Sequence, residues 1–273
     1  MKLVKKLTVI AASVLALGTI SANADLLDKV IEKGKLKCGV VLDFPPMGYR
    51  DAKNQPAGFD VDYCGDLAKA LGVKLELKSM SFAQRVPAIT SGKVDVVIGS
   101  TSDTLKRAQS VGFTIPYFVF KQQAMIKKGS GIKTFEDIKG KKVSAALSTV
   151  SETEFLKNAK SLGFDKSNYF SSKSENDAHL ALLQGKADVI ITSDTTISEL
   201  LKLDKFKDYE AGPFIPNYND FVSIITKRQE FGFINYLNLF VHQQVRTGRY
   251  EELNKKYFGN SPLRDLTVNG IYY

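Results

Sequence analysis

One short pattern occurs twice in this chain. It appears as Ser91-Gly-Lys-Val-Asp-Val-Val-Ile98 and again as Gln184-Gly-Lys-Ala-Asp-Val-Ile-Ile191. In each copy a helical stretch stops at glycine, a Lys-x-Asp turn follows, and a run of apolar residues reads as a buried strand. Small polar residues come next both times, Gly99-Ser-Thr-Ser-Asp-Thr104 and Thr192-Ser-Asp-Thr-Thr196. The chain is therefore expected to fold as two α/β units of similar design. Its 273 residues are enough for two modest domains. Ligands bind at the polar carboxyl ends of strands in such sheets, so two facing units would share one cleft.

The first 24 residues read as something other than fold. Lys2, Lys5 and Lys6 precede the apolar stretch Leu7 to Ile20, and Ala22-Asn-Ala24 is a small-x-small cleavage site. This is a secretory signal peptide over residues 1–24, and it points to the periplasm. Removing its lysines leaves 35 basic residues against 29 acidic ones. The remaining lysines are scattered in pairs such as Lys127-Lys128 and Lys141-Lys142, which describes a solvated basic surface and not a nucleic-acid stripe. Two cysteines remain, Cys38 in the expected first strand and Cys64 in the expected first helix. In an oxidising compartment they are either a disulfide or two buried thiols. No histidine stands near them, so no zinc site is expected.

The stretch Asp95 to Arg107 carries the clearest chemistry. A strand ends at Gly99-Ser100, hydroxyls and free backbone N–H groups follow, and Arg107 comes one turn later. Together they make an anion site, most naturally for a carboxylate. Upstream, Asp43-Phe-Pro-Pro46 is a loop because two prolines forbid regular structure. Gly58 to Leu71 is amphipathic at helical spacing. In the second half, Ser151 with Glu154 has capping-box spacing.

These pieces, in this order, resemble the extracellular solute-binding proteins of family 3, the periplasmic polar amino-acid-binding components of ABC transporters. The most specific pieces are Gly58-Phe-Asp-Val-Asp-Tyr-Cys-Gly-Asp-Leu-Ala68 and the tail Gly248-Arg-Tyr-Glu-Glu-Leu-Asn-Lys-Lys-Tyr-Phe-Gly259. The resemblance implies an α/β, two-lobed periplasmic binding protein fold (type II), with two hinge strands and a ligand cleft between the lobes. Lobe 1 would comprise residues 25–122 and 224–273, and lobe 2 residues 123–223.

The resemblance also assigns residues. Arg107 would hold a ligand carboxylate as a bidentate fork, helped by Ser102 and the backbone of Ser100. Gly99 would offer its carbonyl to an α-amino group. Phe44 and Phe82 would stack on the ligand side chain. Asp43 would meet an ammonium group or cap its own loop, and Asp103 would meet a cation or point to solvent. Across the cleft, the Gly-Thr-Thr-like turn of the family corresponds to Thr149-Val150-Ser151, with Ser151 offering its N–H and hydroxyl. Asp194 would be the ammonium partner if a one-residue bulge precedes it. Gln122 on the hinge would be mainly structural.

The function implied is capture of a small zwitterion by hinge closure and delivery to an ABC transporter permease. The receptor would be a monomer without a cofactor. Two other functions share the fold: an accessory binding protein for a sensor, and a cyclohexadienyl dehydratase. The latter needs a general acid in the cleft, for which Asp103, Asp194 and Glu175 are the candidates.

Overall fold

A computed structural model describes residues 25–266. The signal peptide expected over residues 1–24 lies outside the described residues. The chain begins with α1 (Leu26–Glu32), β1 (Lys35–Val40), α2 (Phe59–Ala70), β2 (Lys74–Ser79), α3 (Arg85–Thr90) and β3 (Val96–Ser102). A short α4 (Leu105–Ala108) leads into the long strand β4 (Val111–Lys127). A second series follows: β5 (Val143–Ala146), α5 (Val150–Ser161), β6 (Tyr169–Ser172), α6 (Glu175–Leu183), β7 (Val189–Ser193) and α7 (Asp194–Leu200). The long strand β8 (Tyr209–Lys227) returns the chain, and α8 (Phe231–Arg246) and α9 (Arg249–Phe258) close it.

The eight strands form one continuous hydrogen-bonded array in the order β2-β1-β3-β8-β4-β7-β5-β6. Each end of it has the same plan. β1 lies parallel between β2 and β3, and β5 lies parallel between β6 and β7. A long strand then runs antiparallel to the inner one, β8 beside β3 and β4 beside β7. The twofold echo in the sequence is thus a real repeat of topology, and Asp95 and Asp188 do the same job in it. Each carboxylate accepts a backbone N–H at the start of the neighbouring strand, Lys37 N–H at 2.8 Å and Lys142 N–H at 2.9 Å.

Only β4 and β8 belong to both halves. Their pairing is broken by register shifts between Ala211 and Asn219. Gly212, Pro213 and Pro216 remove regular ladder bonds there, and Asn217 takes a left-handed φ of 54°. Despite these residues, β8 runs from Tyr209 to Lys227. By Val222 it already pairs with Ser102 of β3, so it rejoins the first half before residue 224. The apolar residues gather on either side of this crossing. Leu36, Phe59, Tyr63, Leu67, Phe118 and Phe233 are fully buried in the first half. Phe135, Phe155 and Ile191, with Phe206 and Ile190, fill the second.

Cys38 and Cys64 form a disulfide with Cα atoms 6.1 Å apart, which settles the choice between bridge and thiols. It pins β1 to α2, the helix that buries Phe59 and Asp60. A loop of 26 residues closed by a disulfide removes about 3–4 kcal/mol of unfolded-state entropy. The Cys38→Ala/Cys64→Ala double variant should therefore unfold at distinctly lower urea concentration than the wild type. An unchanged midpoint would show that the bridge contributes nothing to stability.

Candidate functional site

The two halves touch at several points. Asp43 Oδ2 in the first accepts the backbone N–H of Glu175 in the second at 3.1 Å. Thr196 Oγ1 donates to Pro45 O at 2.9 Å. The Ser148 carbonyl accepts from Arg107 Nη2 at 2.8 Å and from Arg85 Nη2 at 3.3 Å. Between these contacts lies a small cavity. Its walls come from the loop after β1, α3, the end of β3, the middle of β4, the starts of α5 and α6, and β8.

Phe44, Phe82 and Phe120 make the apolar side. Phe44 meets Phe82 edge-on at 5.2 Å between ring centroids and Phe120 at 5.6 Å. Both expected aromatics, Phe44 and Phe82, line the cavity.

The cavity's own cation is Arg85, which the sequence reading missed. Its guanidinium is buried and sits 4.4 Å from the Phe82 ring centroid. Nε donates to Phe82 O at 3.0 Å, and Nη1 donates to Gly99 O at 2.9 Å and to Ser100 O at 2.6 Å. Burial pushes its pKa down to about 9, and the neighbouring Arg107 charge adds to the shift. One signal for it was present. Phe82, Arg85 and Ile89 recur at helical spacing, so an arginine interrupts an otherwise apolar stripe.

Arg107 is half-buried and lies in the adjoining groove with Thr104 and Glu154. Its Nη1 donates to Ser102 O at 3.0 Å, while Nη2 reaches Ser148 O. The two guanidinium groups thus converge on one carbonyl. The Gly99 carbonyl, expected to face an amino group, accepts from Arg85 with one of its two lone pairs. Ser100 faces inward too. Its Oγ donates to Asp60 Oδ2 at 3.0 Å, its N–H donates to Tyr117 OH at 3.0 Å, and Tyr117 OH donates to Asp60 Oδ1 at 2.7 Å. This network holds Ser100 at a left-handed φ of 49°. Asp60 belongs to the Gly-Phe-Asp-Val-Asp motif, so the motif's first acid serves the cleft from behind. Burial raises its pKa to about 7 against the lowering effect of Tyr117 and Ser100.

Across the cleft, the glycine absent from the expected turn is replaced by Ser148, which adopts a φ of 65°. The turn is therefore Ser148-Thr149-Val150, one residue earlier than expected. Its strained serine, like Ser100, presents a carbonyl to Arg85. Thr149 Oγ1 caps α5 by accepting from Glu152 N–H. Ser151 lines the cavity, but its hydroxyl donates to Gln122 Oε1. Gln122 in turn donates to Asp220 Oδ2 at 2.9 Å, so this hinge glutamine is part of the cavity wall and not merely structural.

The acids differ most from expectation. Asp194 stands outside the cavity, with Oδ2 paired to Arg264 at 2.9 Å and Oδ1 accepting Lys121 N–H at 3.3 Å. The preceding Ser193 caps α7, so no bulge turns Asp194 inward. Asp103 is exposed and does not line the cavity. Asp43 clasps the opposite half through Glu175. The acids in the cavity are Asp220, from the hinge strand β8, and Glu175, the first residue of α6. Asp220 is buried, its Oδ1 has no hydrogen-bond partner, and burial raises its pKa to about 7.

Comparison with known proteins identifies the family. The family model of bacterial extracellular solute-binding proteins, family 3, matches residues 36–260. The L-cystine-binding protein TcyJ of Escherichia coli is 28% identical over 240 residues, which are 87% of this chain and 88% of that protein. An ancestral arginine-binding protein bound to arginine superposes with a TM-score of 0.77 at 31% identity, covering 83% of this chain and 99% of its own. An ancestral amino acid-binding protein, a precursor of cyclohexadienyl dehydratase, gives a TM-score of 0.75 at 27% identity, covering 85% and 99%.

The Asp60 network has a measurable pH signature. A carboxyl with a pKa raised from 3.8 to about 7 keeps a proton in the fold that the unfolded chain releases. Its contribution to stability is full below about pH 4 and is lost as the pH climbs toward 7. Wild-type stability should therefore decline relative to Asp60→Asn across that window. Parallel denaturation curves at pH 4, 5.5 and 7 would show that Asp60 is ionised throughout.

Proposed function

The chain belongs to the bacterial extracellular solute-binding proteins of family 3, and on that premise we propose that it is the periplasmic receptor for an amino acid. It captures the ligand between its lobes and hands it to the membrane permease of an ABC importer. One observation carries this reading. A buried guanidinium, Arg85, and a buried carboxylate with a free oxygen, Asp220, line one cavity. The charges of Arg107 and Arg85 both act on Asp220, favouring its ionised form, while Asp103 opposes them. A zwitterion, with its carboxylate and ammonium on adjacent carbons, is the ligand that matches such a pair.

The roles divide accordingly. The ligand carboxylate lies where Arg85 and Arg107 converge, against Ser102 and the first N–H groups of α5 at Val150 and Ser151. A planar acceptor in a water-poor site is best met by planar donors. Asp220 takes the ammonium group, in place of Asp194. Phe44, Phe82 and Phe120 flank the ligand side chain. Gly99 and Ser100 act by holding Arg85, and Asp43 acts by closing the lobes on each other.

The lobes divide at Gln122 on β4 and within the irregular part of β8. Ligand contacts from both sides favour the closed arrangement, and the permease recognises that arrangement. The protein works as a monomer and needs no cofactor. Relatives named for L-cystine and arginine binding support the amino acid class. The buried acids and the dehydratase-precursor neighbour favour one alternative, general-acid elimination by Asp220 or Glu175. Incubation with prephenate and arogenate, read by mass spectrometry, separates the two. Turnover makes the protein an enzyme, and saturable binding without turnover makes it a receptor.

Arg85→Ala and Arg107→Ala should each weaken amino acid binding about a hundredfold, the scale for removing one partner of a buried charged pair. Calorimetry on the folded variants checks this, with Arg85→Lys as a gentler second probe. Unchanged affinity removes that arginine from the site. Affinity should also follow the ionisation of Asp220. Below pH 7 it should fall by up to about tenfold per pH unit, because the ammonium needs the charged carboxylate. The same titration in Asp220→Asn should be flat.

A further inference from the structure

The zwitterion accounts for Arg85, Arg107 and Asp220 and leaves Glu175 unexplained. Glu175 is 1% exposed, lines the cavity, and has no hydrogen-bond partner on either carboxylate oxygen. A buried ionised carboxylate without donors is strongly disfavoured, so something must supply them. The nearest basic side chain is His179, whose Nε2 lies 3.5 Å away without a hydrogen bond.

Glu175 and Asp220 stand on different elements with different partners. Asp220 is on β8 and accepts from Gln122 of β4. Glu175 opens α6, and its backbone N–H is tied across the cleft to Asp43 Oδ2, next to Phe44 in the chain. Its position therefore depends on closure. Closing the lobes brings a second acid to a cavity that Phe44 and Phe82 also line.

We infer that Glu175 is a specificity-determining residue that reads a cationic, N–H-bearing end of the ligand side chain. The preferred ligand is an amino acid with a positively charged side chain. Its α-groups lie between Arg85, Arg107 and Asp220, its aliphatic stem lies along Phe44 and Phe82, and its distal cation lies on Glu175. This rests on the amino acid reading of the site and narrows it.

The test compares near-isosteric pairs by calorimetry at pH 7.5: L-arginine against L-citrulline, and L-lysine against L-norleucine, with L-glutamate as the anionic control. The wild type should bind the better cation at least tenfold more tightly than its neutral partner. Glu175→Gln should reduce that ratio at least tenfold, because it keeps the shape and removes the charge. If Glu175 served only His179, the substitution would shift the melting temperature and leave the ratio unchanged, which overturns the inference. So does a wild-type preference for the neutral partners or for glutamate, while the amino acid reading stands. If no amino acid binds, the reading of the site fails and this inference with it.

Discussion

A guanidinium buried between two lobes is the constraint around which this structure is arranged. Arg85 cannot reach bulk water, so its donors must be met by the fold. They are met by carbonyls, those of Phe82, Gly99 and Ser100 from its own half and that of Ser148 from the other. Two of these carbonyls belong to serines in left-handed conformations, an arrangement that a non-glycine residue adopts only when its surroundings enforce it. For Ser100 the enforcement is visible, as Asp60 and Tyr117 grip its hydroxyl and amide. The motif helix α2, the disulfide that anchors it and the first strand thus all contribute to placing one cation.

The remaining polar groups of the cleft follow from where strands and helices end. β3 and β7 both finish in small hydroxylated residues, yet only β3 sends its residues to the cavity, since Ser193 and Asp194 are used to start α7 and to pair with Arg264. The second half instead contributes the starts of α5 and α6. The hinge contributes as well. Gln122 and Asp220, on the two strands that cross between the lobes, are hydrogen-bonded to each other, and Ser151 joins them from α5. Groups facing the ligand are therefore bonded directly to the strands that bend.

The architecture was legible because it is written in repeated local signals. Glycine-terminated helices, the Lys-x-Asp turns and the alternation of helix and strand need no long-range information. Much of the cleft was not legible, for a physical reason. Arg85 sits in the first turn of a short helix with no motif around it, and Asp220 sits in a strand whose prolines disguise it as loop. Each becomes part of a site only when residues from 44 to 220 meet. Ser148 hid a glycine's conformation behind a serine's identity. Phe44, Phe82, Ser102 and Ser151 were placed at the cavity wall because a continuous stretch of chain carries each of them there. Asp194 falls outside the cavity, and counting residues from Asp188 cannot reveal which way the start of α7 turns.

The sheet order also fixes the sequence in which the chain can complete itself. β8 lies between β3 and β4, although almost all of the second half separates it from them in the chain. The second half has its strands β5, β6, β7 and the end of β4 available as soon as β7 is made. The first half is missing its central strand until residues 219–227 arrive. Until then β3, every residue of which is buried in the finished protein, has an open edge able to pair with the wrong strand. During synthesis, the lobe begun first is thus the lobe finished last. A chain interrupted before β8 leaves its open edge at the strand whose end later lines the cavity.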